Sequence, residues 1–264
     1  MGQNKDNKEK QDTERQSEHT LIKKRLDENI ALLEEKIGLG KSFDVLMREM
    51  TFGGRRTGLL YINGFAKDEV MTEILKRLSY VERDQLAPHA LQAFFNEFVP
   101  HIQVELSQVL DEVIDKVLAG MSVLFIDGST TALVIDAKQF PVRGIKEPSL
   151  EKVVRGSRDG FVETMLTNVT LVRRRIRDPK LTYNVIQVGR RTKTDICIGY
   201  IADIADEKFV EEIKKKIEGV EIDGIPLADK QLEEILVGNS WNPYPQVRYS
   251  ERPDVIANHL LEGH

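Results

Sequence analysis

Glu-Pro-Ser-Leu-Glu-Lys-Val-Val-Arg-Gly-Ser-Arg-Asp-Gly-Phe-Val-Glu-Thr-Met-Leu-Thr-Asn-Val-Thr-Leu-Val-Arg-Arg-Arg-Ile-Arg-Asp-Pro, residues 147–179, is the stretch whose reading decides the fold. Its second half reads as one amphipathic helix. Phe161, Val162, Met165, Leu166, Val169, Val172 and Ile176 recur at helical spacing, with Asp159 as the expected N-cap. Asp178-Pro179 ends it, because proline cannot continue the hydrogen-bond ladder. Arg155, Arg158, Arg173, Arg174, Arg175 and Arg177 make this the most basic region of a chain whose formal net charge is -5. A helix with one apolar face and an arginine rim, set between two similar halves, is a connector. Its arginines require anionic partners, within the protein or outside it.

The halves on either side share a pattern. Strand-like runs Val45 to Phe52 and Thr57 to Ile62 flank Gly53-Gly54-Arg55-Arg56, a hairpin signal, and a helix is predicted from Asp68 to Leu78. After the connector, strand-like Leu181 to Val188 leads into Gly189-Arg190-Arg191-Thr192, which repeats Gly54-Arg55-Arg56-Thr57. Tyr200-Ile201 repeats Tyr61-Ile62, and Phe209, Ile213 and Ile217 match Val70, Ile74 and Leu78. Further on, Val247, Tyr249 and Ser250 match Val104, Leu106 and Ser107, and Ile256, Leu260, Leu261 and Gly263 match Val113, Val117, Leu118 and Gly120. Three segments in one order, with matching apolar phase, indicate a duplication.

The first copy holds more. A helix is predicted over Leu86 to Val99, a strand over His101 to Leu106, and a helix capped by Ser107 and closed by Gly120. Val123 to Ile126 and Ala132 to Ile135 then flank Asp127-Gly128-Ser129-Thr130, a second hairpin. In the second copy Gly263 is followed only by His264, so a longer parent chain with a further strand pair is expected. Ahead of both copies, a polar tail over residues 1–19 lacks the apolar content to order itself. Leu21, Ile22, Leu26, Ile30, Leu33 and Ile37 then predict a helix ended by Gly38. The expected architecture is α/β: two related mixed subdomains, 20–140 with the leading helix and 181–264, joined by a connector over 141–180 that carries a helix.

Composition excludes several functions. With 41% hydrophobic and 31% charged residues the chain is of ordinary soluble type, and its acidic balance argues against nucleic acid as a partner. One cysteine, Cys197, excludes a disulfide framework. No apolar run approaches the ~18 residues of a membrane span, and no signal-peptide core is present. The histidines His19, His89, His101, His259 and His264 lack metal-ligand spacing, and no Gly-x-Ser-x-Gly elbow or phosphate-binding loop occurs. No enzyme, cofactor or metal site is therefore expected. Gly156-Ser157-Arg158-Asp159-Gly160 reads as a tight turn in preference to an anion site.

Two roles are open to the polar residues. Arg55, Arg56, Arg190 and Arg191, with Arg155 and Arg158, present planar forks suited to carboxylate or phosphate, and are candidates for an anionic or zwitterionic ligand in an inter-lobe cleft. The structural alternative, which is preferred, pairs them with Glu147, Glu151, Glu163 or Asp195. Asn168 and Glu163 are further polar candidates, and Arg173, Arg174 and Arg175 are candidates for a subunit interface.

The connector string, with Gly189 to Thr194, Val220 to Gly224 and Pro245 to Asp254, resembles the A-subunit family of spore germinant receptors from endospore-forming bacteria. The likeness runs from about Leu21 to the C-terminus. It implies a soluble N-terminal domain on the spore-core side of the spore inner membrane, with membrane helices beyond it. It further implies a receptor of A, B and C subunits, in which A subunits associate with one another and a small nutrient triggers germination through an ion channel. The resemblance carries no catalytic residue. Two functions follow as expectations: assembly and signal relay, or binding of the nutrient, an amino acid or sugar, between the lobes.

Overall fold

The computed structural model describes residues 19–86, 90–99, 103–140, 157–220, 222, 223, 232–234, 236 and 247–263. The polar tail through residue 18, Arg155, Glu147, Glu151 and His101 lie outside them. The chain divides into two compact units. The first comprises the chain up to Leu32, Met47–Tyr61 and Ala66–Lys138; the second comprises Leu33–Leu46, Ile62–Phe65 and the chain from Gln139 on.

The first unit is built on a five-stranded sheet in the order β1-β2-β4-β5-β3, with β1 Val45–Phe52, β2 Arg55–Ile62, β3 Val104–Ser107, β4 Ser122–Ile126 and β5 Ala132–Ile135. The pairs β2–β4, β4–β5 and β3–β5 are antiparallel. Every residue of β4 and β5 is buried, which is why both read as unbroken apolar runs: each face of the sheet is covered. On one face Leu59, Leu124, Ile126, Leu133 and Ile135 meet Met71, Ile74 and Leu78 of helix α2, Asp68–Ser79. Phe94 joins that cluster from a wide turn, Phe94–Phe98, that follows the short helix α3, Ala90–Ala93. A helix over Leu86 to Val99 is expected; residues 87–89 lie outside the described residues, Leu86 closes a 3-10 turn Arg83–Leu86, and the expected helix is seen over 90–98, where α3 runs directly into the wide turn. Helix α4, Leu110–Leu118, packs on β3 and β4 and buries Leu110, Val113, Ile114, Val117 and Leu118. The leading helix α1, Leu26–Ile37, ends at Gly38, whose φ of 66° is the left-handed conformation expected there.

The β1–β2 connection corrects the sequence reading. Gly53 and Gly54 both have positive φ, 52° and 75°, and form a two-residue turn by themselves. Arg55 and Arg56 are therefore the first residues of β2 and do not belong to the turn.

The second unit holds the hairpin of β6, Leu181–Val188, and β7, Thr194–Ile201, antiparallel from Leu181 opposite Ile201 to Val188 opposite Thr194. Each of β1, β2, β6 and β7 has 8 residues, and α2 and α6, Glu207–Glu218, each have 12. The order strand, strand, helix thus recurs with the same lengths. The hairpin turns differ, since residues 189–193 stand where the first copy has two glycines, and Lys193 takes a positive φ of 44°. Alternation sorts the hairpin's side chains onto two faces. Ile186, Val188, Ile196 and Ile198 pack with Ile213 and Ile217 of α6. Leu181, Tyr183, Cys197 and Ile201 pack with helix α5, Met165–Arg175, and helix α7, Pro253–Glu262.

The connector helix is shorter than the sequence suggests, and Asp159 does not cap it. Thr164 holds the N-cap position in extended conformation. Two side-chain interactions account for this. Asn168 Oδ1 accepts from the Val162 backbone N–H at 2.8 Å while its Nδ2 donates to the Val162 carbonyl at 2.6 Å, which pins the lead-in as a loop. Asp159 is taken by Arg175 at 2.7 Å.

Gly199 faces Tyr183 across the hairpin, and a Cβ built there would lie 2.8 Å from a ring carbon of Tyr183. Gly199→Ala should therefore destabilise the protein by about 1–3 kcal/mol, read as a lowered urea midpoint at unchanged slope. A midpoint equal to the parent's means the ring moves aside freely.

Candidate functional site

Arg173 points inward, against the general exposure of arginine. Both it and Asp44 have 0% of their side chains exposed. Arg173 Nε donates to Asp44 Oδ2 at 2.6 Å and Nη2 to Oδ1 at 3.1 Å, a bidentate pair across a sequence separation of 129. Nη1 donates to the Asp178 carbonyl at 3.0 Å and Nη2 also to the Leu181 carbonyl at 2.7 Å. Asp44 is further held by the Ser42 hydroxyl at 2.6 Å, and Ser42 Oγ accepts the Tyr183 N–H at 3.0 Å. Phe43 N–H donates to the Tyr183 carbonyl at 2.8 Å, so the segment 42–44 runs beside the start of β6. The guanidinium also sits 5.3 Å from the centre of the Tyr183 ring.

The other candidates are placed as follows. Arg175 bonds Ser157 Oγ, Asp159 and the Leu171 carbonyl. A cation there also suits the helix C-terminus. Arg174 is exposed and lies over the Phe140 ring at 4.8 Å; Phe140 meets Phe65 edge-on. Arg56 pairs with Glu49 at 2.7 Å and Asp27 at 3.0 Å, and hydrogen bonding to Glu49, then Asp27, raises its affinity for the proton. Arg190 pairs with Asp223 at 2.8 Å. Arg55, Arg158 and Arg191 are exposed. Of the cleft candidates among these arginines, Arg56 and Arg190 are paired with carboxylates, and the partners are Glu49, Asp27 and Asp223 instead of Glu163 or Asp195; Glu147 and Glu151 lie outside the described residues. Asn168 is engaged on both sides of its amide by Val162. Asp44 was missed because nothing in Lys-Ser-Phe-Asp-Val marks its aspartate as buried.

Beside the ion pair, in the second unit, lies an open groove of about 420 Å³. Met165, Val169 and Val172 of α5 form one wall, Ile256 and Leu260 of α7 the other, and Tyr183, Cys197 and Gly199 of the hairpin its floor. Glu163 and Asp195 also line it. Burial, and after it the charge of Asp44, pushes the Cys197 thiol up to about 12, so it is inert at neutral pH. Burial likewise raises the Tyr183 phenol far above its ordinary range. The Tyr183 hydroxyl has no hydrogen-bond partner among the described residues. Among those residues no group of three or more His, Cys, Asp or Glu side chains is placed to hold a metal ion, and no helix is long and apolar enough to cross a membrane.

A mixed α/β domain with a repeated hairpin–helix unit, locked by a buried ion pair, is the class of protein these features define. The family model of the Bacillus/Clostridium GerA spore germination protein matches residues 32–264, and the chain belongs to that family. It is 41% identical over 251 residues to Stage V sporulation protein AF of Bacillus subtilis (strain 168), covering 94% of this chain and 51% of the relative. It is 32% identical over 246 residues to Spore germination protein KA of the same organism, covering 92% and 45%. The chain thus spans about half the length of these curated relatives. The crystal structure of the N-terminal domain of the A subunit of the Bacillus megaterium spore germinant receptor GerK3 superposes with a TM-score of 0.67 at 27% identity, over 93% of this chain and 91% of that one.

Truncating Arg173 strands a buried carboxylate. Arg173→Ala should cost about 3–5 kcal/mol, whereas Arg173→Met combined with Asp44→Leu should recover most of that loss; denaturant titration of the three chains decides it. A second expectation concerns pH. The folded-state thiol of Cys197 titrates near 12, above its ordinary 9.0, so folding favours the neutral form. That contribution is complete below about pH 9 and is lost as pH rises toward about 12. Cys197→Ala should therefore flatten the alkaline fall in the urea midpoint between about pH 9 and 11, and an unchanged slope overturns the assignment.

Proposed function

We propose that this chain is the N-terminal domain of an A subunit of a nutrient germinant receptor, and that it serves receptor assembly and relay of the nutrient signal that triggers germination. Its partners in this reading are the B and C subunits of the same receptor and further A subunits. It lies on the spore-core side of the spore inner membrane, carries no catalysis, and acts through an ion-channel complex. The observation that carries the reading is the family match over residues 32–264, together with the likeness to the GerK3 A-subunit domain.

The use of polar groups supports assembly and relay over chemistry. Arg173, Arg175 and Asn168 of the connector are each bound to the protein itself. A helix clamped in this way transmits displacement as a rigid piece, which a relay requires. Outward-facing groups remain for partners: Arg174 at the end of α5, and the exposed apolar side chains of Ile204, Phe209 and Leu261.

Arg174→Ala and Phe209→Ser, made in the full-length subunit, test this. Each should leave the stability of the domain within about 1 kcal/mol, the Arg174 variant losing its contact with the Phe140 ring, while lowering recovery of the B and C subunits on affinity purification and slowing nutrient-triggered germination. Wild-type assembly and germination in both variants sink the reading. The placement is checked separately by protease treatment of oriented membrane vesicles carrying an N-terminal tag, where cleavage from the outer face contradicts it.

A further inference from the structure

The two copies differ at one edge of a sheet. Matching Tyr200-Ile201 to Tyr61-Ile62 places Cys197, Ile198 and Gly199 where the first copy has Gly58, Leu59 and Leu60. Those three residues of β2 are buried, and β4 pairs with them: Gly58 faces Phe125, Leu59 faces Leu124 and Leu60 faces Val123. In β7 all three are only half-buried, and β6 is the one strand beside them among the described residues. Ala202 N–H donates to the Lys180 carbonyl, so the hydrogen-bonded pairs of this hairpin continue as Thr182 with Tyr200 and Asn184 with Ile198. The backbone groups of Cys197 and Gly199 therefore point away from β6, and no hydrogen bond engages them among the described residues. The same side of β2 is the one that β4 occupies, as the bond from Asp127 N–H to the Arg56 carbonyl records. Exposed edges of this kind recruit strands.

Two further places carry the same difference. Val113, Val117 and Leu118 of α4, which packs on β4, are 0%, 0% and 1% exposed. Their counterparts on α7 are left open: Ile256 and Leu260 line the groove beside Cys197 and Gly199, and Leu261 is 52% exposed. Residues 247–250 match β3, whose one neighbour is β5, yet they form no strand. In the first copy the hairpin β4–β5 lies between β2 and β3. The second copy has the counterparts of β2 and β3 and, among the described residues, no counterpart of that hairpin. The chain also arrives at the right end of β7. Gly120, with a φ of 101°, leads from α4 toward β4, and Gly263, with a φ of 83°, closes α7 in the same left-handed conformation. A Cβ built on Gly263 would lie 3.0 Å from Ile204, just past the last residue of β7. This chain covers 51% and 45% of the two Bacillus subtilis relatives, so proteins of this family have residues to supply what the second copy lacks.

We propose that the free edge of β7 is the seat of a strand pair that follows Gly263 in the longer protein. Its first strand runs antiparallel to β7 and against α7, and its second lies between the first and residues 247–250. The first copy sets the register. Val123 and Phe125 are three and five residues past Gly120 and face Leu60 and Gly58, so the third and fifth residues past Gly263 face Gly199 and Cys197. Both strands are apolar on either face, as β4 and β5 are, since α6 covers one side of this sheet and α5 with α7 the other. A second copy of the chain fits the edge less well: two β7 strands meeting edge to edge supply no counterpart of β5, and residues 247–250 still have no strand to join. The proposal rests on the duplication and not on the assembly reading; either can fail without the other.

Amide hydrogen exchange, read residue by residue by NMR, tests this on two chains. One is residues 1–264; the other continues in its natural sequence as far past Gly263 as Ile135 lies past Gly120. In the shorter chain the amides of Cys197 and Gly199 should exchange freely, while those of Ile198 and Tyr200, bonded to β6, are protected. In the longer chain Cys197 and Gly199 should slow by on the order of 100-fold, with Ile198 and Tyr200 still protected as the sign that it folds. If the longer chain does not fold, the added residues are given to the shorter chain as a separate peptide, which should slow the same two amides saturably. Free exchange of both amides in the folded longer chain, or with the peptide where that is used, overturns the proposal. So does their protection in the shorter chain at every dilution, because the chain then covers its own edge. Protection in the shorter chain that disappears on dilution overturns it as well, and makes a second copy the occupant.

Discussion

The second unit depends on one buried ion pair. Arg173 and Asp44 are withdrawn from water together, and every nitrogen of the guanidinium is used: two on the carboxylate and two on the carbonyls of Asp178 and Leu181, with Nη2 shared. Desolvating two charges costs several kcal/mol each, and only this near-complete hydrogen bonding offsets it. The gain is specificity more than stability, since an apolar pair of similar volume is often as stable. Sliding β6 by one residue relative to the segment 42–44 would separate Tyr183 N–H from Ser42 and turn each side chain of the strand to the opposite face. The pair therefore selects one register.

From that register the groove follows. Arg173 draws the last turn of α5 onto the start of β6, which sets Val169 and Val172 above Tyr183. On the opposite strand, Gly199 leaves room for the ring. Asn168 and Arg175 hold the loop leading into the helix from either side, the first through Val162 and the second through Asp159. The connector is thus fixed at its beginning, its middle and its end by side chains that it carries itself.

What the sequence made legible was local. Gly53-Gly54, Asp127-Gly128 and the apolar runs beside them announce hairpins because turn chemistry acts over a few residues. The repeat was visible for the same reason: equal lengths of strand and helix leave equal spacing. The matching Gly-Arg-Arg-Thr strings, however, do not occupy matching places, since a two-residue turn in one copy puts its arginines on a strand while a longer turn in the other keeps them in the loop. The start of the connector helix was misplaced because Asp159 has the chemistry of a cap, and only the fold shows that Arg175 claims it. Asp44 was beyond reach, because an aspartate between a helix and a strand is ordinarily solvated. Nothing near it in sequence foretells an arginine 129 residues away.

That separation has a consequence for how the molecule is made. Synthesis proceeds from the N-terminus at about 5–20 residues per second, so Asp44 leaves the ribosome on the order of ten seconds before the arginine it pairs with. Throughout that interval all of Met47–Tyr61 and Ala66–Lys138 emerges, which supplies the first unit with nearly all of its sheet. Residues 33–46 meanwhile belong to a unit most of which has not been translated. The nascent chain must keep this segment hydrated and unclaimed, and the charge of Asp44 helps it do so by making premature burial in the neighbouring core costly. The same carboxylate that guards the waiting segment from misfolding becomes, once Arg173 emerges, the group that closes the second unit.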